Sequence, residues 1–159
     1  MKKVILVSDN HGNAHVLRKI VDKHYDADLY LHCGDSEMFK KDLKPFYIVR
    51  GNNDFGFDFD KSNILVIENL KILIMHGYGY VAPYTTKYLV EYASKMDIDA
   101  VFYGHTHIKD DFTVDNIRYL NPGSCNHSRD GSLPSYYELL IDKKEIEVIV
   151  HEIEGDKIC

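Results

Sequence analysis

Five short apolar runs in this chain each stop at a polar segment, usually one containing glycine, and that arrangement limits the possible folds more than any other feature. Residues 4–7 run into Asp9-Asn10-His11-Gly12, 29–31 into Gly34-Asp35, 46–49 into Gly51-Asn52-Asn53-Asp54, 72–75 into His76-Gly77, and 100–103 into Gly104-His105-Thr106-His107. Such runs, rich in branched and aromatic residues, have the pattern of buried strands and are too short for helices. In sheets with parallel strands the carboxyl ends lie on one edge, and ligands bind in the crevice there. The five polar segments are therefore expected to converge.

The rest of the chain fills in around them. Ala14, Leu17, Val21 and His24 recur at helical spacing after Asn13, a residue suited to cap the helix. A second helix is expected over residues 85–96, with Tyr88, Leu89, Tyr92, Ala93 and Met96 as its core-facing stripe. Another strand falls at 64–67, and the last third reads as strands at 112–114, 117–120, 136–141 and 146–153 separated by turns. An alternating strand–helix half followed by a strand-only half suggests a two-sheet sandwich with helices outside, with a single mixed sheet as the alternative. The length suits one domain over residues 1–159, without a linker or repeat.

What the strand ends bring together is carboxylate, amide oxygen and imidazole, the donor set for borderline divalent metals. Asp9, His11, Asp35, Asn52, His76, His105 and His107 make seven candidate ligands. That is too many for one open catalytic ion and about right for two that share a bridge. Asp35 is the natural bridge, since a carboxylate can give one oxygen to each ion. The spacing in Asp9-x-His11 and His105-x-His107 predicts extended segments with both side chains on one side.

Other chemistries are disfavoured. Nineteen Lys and Arg against 25 Asp and Glu give 19 − 25 = −6, which argues against an extended nucleic-acid surface. Cys33, Cys125 and Cys159 show no CxxC spacing, so neither a disulfide framework nor a zinc knuckle is indicated. No apolar stretch approaches the roughly 20 residues of a membrane span, and Asp9 and His11 interrupt the opening before a signal-peptide core forms; a cytoplasmic location is expected. There is no P-loop and no Gly-x-Ser-x-Gly elbow. Gly77-Tyr-Gly79-Tyr-Val-Ala82 fits a relaxed dinucleotide pattern, but no acidic residue ends the next strand. His15, His24, His32, His127 and His151 read as core or surface residues, and Thr106 as a spacer between ligands. Ser8, Asn10 and Asp54 read as either turn caps or groups that orient the ligands, and Arg129 as either a phosphate contact or a solvated loop cation.

Asp-x-His, Gly-Asp, Gly-Asn-x-Asp, His-Gly and Gly-His-Thr-His, in this order and each after a strand, resemble the calcineurin-like metallophosphoesterases, especially the small bacterial and archaeal phosphodiesterases. The resemblance spans essentially the whole chain and implies an α/β fold, a four-layer αββα sandwich of two mixed sheets flanked by helices. It implies one metal held by Asp9, His11, Asp35 and His107 and a second by Asp35, Asn52, His76 and His105, the ions being Mn, Ni, Fe or Zn. Asn121-Pro122-Gly123-Ser124 matches a further family segment near the site. The implied activity is hydrolysis of a small phosphodiester by attack of a metal-bridging hydroxide; the alternative is a metal-binding scaffold, as in the retromer subunit of this family. Many catalytic members carry a histidine after the Gly-Asn asparagine. Here that position is Asn53, which with Asp54 is the catalytic candidate; an amide donates a hydrogen bond but delivers no proton near neutral pH.

Overall fold

The computed structural model describes residues 1–155 together with the backbone of Lys157 and Ile158; Cys159 lies outside the described residues. In chain order the elements are β1 (Lys2–Val7), α1 (Ala14–Lys23), β2 (Leu29–His32), β3 (Tyr47–Ile48), β4 (Ser62–Ile67), β5 (Leu70–Met75) and α2 (Lys87–Ala93). They continue with β6 (Ala100–Phe102), β7 (Lys109–Val114), β8 (Ile117–Pro122), β9 (Ser135–Asp142), β10 (Glu145–Glu154) and β11 (Lys157–Ile158). One sheet runs β11-β10-β9-β1-β2-β3 and the other β4-β5-β6-β8-β7. This is the two-sheet arrangement, not the single mixed sheet. β1, β2 and β3 are parallel, as are β5, β6 and β8, while the flanking strands pair antiparallel.

The period-two alternation of the central strands builds three apolar interfaces and so four layers. Val4 and Leu6 of β1 face Ile72 and Ile74 of β5 and Phe102 of β6 between the sheets. Ile5 and Val7 turn the other way, onto Val16, Leu17 and Ile20 of α1. Leu73 and Met75 of β5 turn outward onto Leu89 and Ala93 of α2. The fold is thus an αββα sandwich whose parallel strands aim their carboxyl ends at one edge.

Asn13 caps α1 as its sequence predicts, its side chain accepting from the Val16 N–H at 3.2 Å. The second helix is shorter than residues 85–96, and its stripe is split. Leu89 and Ala93 are fully buried, whereas Tyr88 is 61% and Tyr92 38% exposed. The buried pair is spaced i, i+4; the two tyrosines sit one residue earlier, rotated about 100° around the axis. Tyr92 packs instead on Tyr80, ring centroids 4.8 Å apart. Cys33 and Cys125 are buried free thiols. No helix of the described residues is long and apolar enough to cross a membrane.

Candidate metal centre

The seven predicted ligands meet at the sandwich edge, but the backbone reaches them differently from the extended segments expected. Asp9, His11, Asp35, His105 and His107 all have φ between 43° and 71°, the left-handed region, and so does Glu37. Non-glycine residues rarely adopt it, and a cluster of such residues marks a site where the surrounding structure imposes the conformation. The consequence is geometric: the side chains of His105 and His107 diverge, while those of Asp9 and His11 stay together. His107 joins Asp9 and His11, while His105 lies with His76 and Asn52. Two glycines allow the close approach. A Cβ on Gly51 would lie 2.1 Å from Asp35 Oδ1, and one on Gly104 would lie 2.1 Å from Ser8 Oγ and 2.7 Å from Asp9 Oδ2.

Three imidazoles have one nitrogen already committed. His107 Nδ1 is 2.7 Å from the His127 carbonyl and His76 Nδ1 is 2.8 Å from the Cys33 carbonyl. His11 Nδ1 is 2.9 Å from Glu37 Oε1. A carbonyl or carboxylate can only accept, so each Nδ1 carries the proton and each Nε2 offers a lone pair in the neutral ring. Those Nε2 atoms turn toward carboxylates. His107, His11 and His76 Nε2 lie 3.3, 3.7 and 3.9 Å from Asp9 Oδ1, and His76 and His11 Nε2 lie 3.4 and 3.8 Å from Asp35 Oδ2. His11 and His107 Nε2 are only 3.2 Å apart, and His76 Nε2 is 3.3 Å from His105 Nδ1, which also lies 3.1 Å from Asn52 Oδ1.

Lone pairs converging on carboxylate oxygens call for positive charge between them. Asp9 Oδ1 is fully buried and makes no hydrogen bond, although its partner oxygen accepts from Ser8 Oγ at 2.5 Å and the His105 N–H at 3.1 Å. A buried carboxylate oxygen left without a donor is costly unless a cation satisfies it. The titration behaviour agrees. Burial works to raise the Asp9 pKa, but the His107 and His11 imidazoles outweigh it and hold the carboxyl far below its usual range. Asp9 in turn pushes His11 up to about 9. Asp35 is lowered, burial being outweighed by His76 and by the Asn53 amide groups. The donor set fits divalent metal. Asp9, His11 and His107 form one group able to hold an ion, and Asp9, Asp35 and His76 another. Asp9 therefore belongs to both groups and Asp35 to the second, with Asp35 Oδ2 3.8 Å from His11 Nε2 of the first.

Asn53 and Asp54 take parts that their spacing does not reveal. The Asn53 backbone N–H donates to Asp35 Oδ1 and its side-chain amide to Asp35 Oδ2, both at 2.8 Å. Asp54 is fully buried and accepts from the backbone N–H groups of Asp35, Gly51 and Glu37 at 2.9, 2.7 and 2.9 Å. It ties the second and third strand-end loops together. Ser124 Oγ donates to the Asp9 carbonyl at 2.7 Å, and Asn121 Nδ2 donates to the Gly104 carbonyl at 3.1 Å, so the 121–124 segment buttresses two ligand loops. His32 is buried and holds Asn10 Oδ1 at 2.8 Å. Arg129 Nη1 stands 3.5 Å from the His105 carbonyl, at the rim. Glu37 was not foreseen: nothing in Ser36-Glu37-Met38 distinguishes it from a surface acid until the left-handed turn brings it to His11.

A family model for the calcineurin-like phosphoesterase superfamily domain matches residues 1–144. The chain belongs to that superfamily. A probable metallophosphoesterase of Bacillus subtilis, YsnB, is 31% identical over 98% of this chain and 94% of its own length. The phosphodiesterase MJ0936 of Methanocaldococcus jannaschii is 29% identical over 94% of this chain and 99% of its own. Among solved structures, the Zn²⁺ complex of Vps29 from Entamoeba histolytica superposes with a TM-score of 0.80 at 23% identity, covering 99% of this chain and 96% of that one. That last likeness is one of fold, so the superfamily's architecture also serves a protein named for vacuolar sorting.

Proposed function

We propose that this chain, acting as one unit over residues 1–159, is a cytoplasmic metal-dependent phosphodiesterase for small phosphate esters. One divalent ion would be held by Asp9, His11, Asp35 and His107, and a second by Asp35, Asn52, His76 and His105. When bound, such ions would supply Lewis acidity, countering phosphate charge and lowering the pKa of a water; Mn²⁺, Fe²⁺, Ni²⁺ and Zn²⁺ all suit these donors. The observation that carries the reading is the buried, undonated Asp9 Oδ1 faced by three imidazole nitrogens whose partner nitrogens are already committed.

The protein's own residues do the positioning. Glu37, His127 and Cys33 fix the tautomer and rotation of the three imidazoles, while Asn53 and the 51–54 loop fix Asp35. Arg129 at the rim offers a cation to a phosphate oxygen. With an asparagine at position 53 there is no imidazole there to protonate a departing oxygen, so an arm that leaves readily, such as an aryl oxide, departs faster than an alkyl one.

Turnover of bis(p-nitrophenyl) phosphate tests this directly. It is expected with Mn²⁺, lost in chelator and restored by added metal. The second reading, a binding scaffold that keeps the metal site, draws on Asn53 and on the Vps29 likeness. Metal uptake without any diester turnover would favour the scaffold and overturn the enzyme.

A further inference from the structure

A cavity of about 710 Å³ opens beside the His76, His105 and Asn52 side of the centre. Its size lies within the range of small-molecule sites. One wall is the 50–62 segment with Arg50, Phe55 and Lys61; the other carries Tyr78, Tyr80 and Tyr92. On a chain of net charge −6, no carboxylate lines it, while two cations do. Among the described residues neither the Arg50 guanidinium nor the Lys61 ammonium makes an ion pair or side-chain hydrogen bond; the Arg50 backbone N–H alone is engaged, with the Asp60 carbonyl at 2.7 Å. Large apolar rings are normally drawn inward, yet Phe55 is 77% and Tyr78 65% exposed at the mouth. Tyr78 stands edge-on to the His105 ring, centroids 5.4 Å apart, so the aromatic wall begins at the metal centre itself.

We infer that this cavity is a nucleotide-arm subsite: the diester it serves carries, on one ester arm, a nucleobase that packs on Tyr78 and Phe55 and a second phosphate that Arg50 and Lys61 receive. The inference rests on the phosphodiesterase reading and narrows its substrate class. Aromatic faces take any base by stacking, and an Arg–Lys pair without carboxylate partners is suited to a dianion. A simple aryl or alkyl diester has nothing to offer the two cations. In the reaction, water's oxygen bonds to phosphorus, the phosphorus–oxygen bond to one arm breaks with its electron pair, and the departing oxygen takes up a proton from that water. A diester and water thus give a monoester and an alcohol.

The test is equilibrium binding to the Mn²⁺-loaded protein by calorimetry, with adenosine 3′,5′-bisphosphate and adenosine 5′-monophosphate as probes. The bisphosphate should bind at least tenfold more tightly. Arg50→Ala and Lys61→Ala should each remove most of that preference, and Tyr78→Ala should weaken both probes together. Equal affinity for the two probes, or a preference that survives both cation substitutions, would overturn the inference. Turnover keeps the two claims apart. Hydrolysis of bis(p-nitrophenyl) phosphate without a bisphosphate preference sinks the subsite and leaves the enzyme standing. A bisphosphate preference abolished by Arg50→Ala in a protein that hydrolyses no diester keeps the subsite and sinks the enzyme.

Discussion

Asp35 and Asp9 are chemically alike and differ in how the chain holds them. Asp9 gives one oxygen to Ser8 and the His105 N–H and keeps the other bare, while both Asp35 oxygens take a hydrogen bond from Asn53. If Asp35 bridges two ions, Asp35→Asn weakens both sites, whereas His11→Gln weakens one. Metal analysis is expected to return two ions per chain for wild type, close to one for His11→Gln and close to none for Asp35→Asn; one ion in active wild type would refute the bridge. Asn53 supplies a second expectation. Losing a hydrogen bond to a ligating carboxylate typically costs about 10–100-fold in metal affinity. Asn53→Ala should therefore raise the Mn²⁺ concentration for half-maximal activity about tenfold, with maximal activity recovered at saturating metal. An unchanged requirement would mean that the Asn53 backbone N–H alone positions Asp35. The ligand types were legible in the sequence because each sits directly after an apolar run. Their supporting partners were not, because Glu37, Cys33 and His127 act through a turn or a carbonyl that no residue type announces.

The central strands were readable because a buried parallel strand is a nearly continuous apolar run, and all five runs became strands whose ends reach the site. The connecting loops were not. The sequence pattern of Asp-x-His implies an extended backbone, but packing forces Asp9, His11, Asp35, His105 and His107 into the left-handed region. Something must counter that strain, and at the second and third loops it is Asp54. Its buried carboxylate satisfies three backbone N–H groups from two segments, and a donor left unsatisfied in the interior costs about 1–3 kcal/mol. Asp54→Ala should thus destabilise the fold by about 3 kcal/mol in urea unfolding and loosen Asp35 as well. A loss below about 1 kcal/mol would show that water replaces the carboxylate and that Asp54 is not the clamp. The stripe of α2 misled for a related reason: periodicity places Tyr88 and Tyr92 near Leu89 and Ala93 but cannot say how wide a face the sheet covers.

Across the whole molecule, two parallel triplets of strands direct chemistry to one edge and leave the opposite end free for a different cluster. His24 lies at the carboxyl end of α1, and eleven steps of about 1.5 Å each put it about 16 Å along the helix from Asn13 at the site edge. It is buried against Tyr136, whose hydroxyl is 2.9 Å from Nε2, with the His151 ring edge-on at 5.0 Å. No sequence pattern joins α1, β9 and β10 at this point, so a lone helical histidine gave no hint of it. Burial pushes the His24 pKa down to about 4; Glu138 opposes this, while His151, Lys3 and Lys23 reinforce it. An unfolded histidine titrates near 6.5, so between about pH 6.5 and 4 the unfolded chain binds a proton that the folded chain refuses. Stability then falls as pH falls through that window, by up to about 1.4 kcal/mol per pH unit for one full proton, and is unaffected by this group above it. Other groups titrate there too, and a comparison of two proteins isolates this one. His24→Leu replaces the imidazole by an apolar side chain that cannot charge. Unfolding free energies measured in urea at pH 7, 6 and 5 should fall less steeply for the variant than for wild type as the pH drops, the slope being shallower by close to one proton. Parallel curves would mean that the folded protein accepts the proton on His24, with Glu138 as its counter-charge.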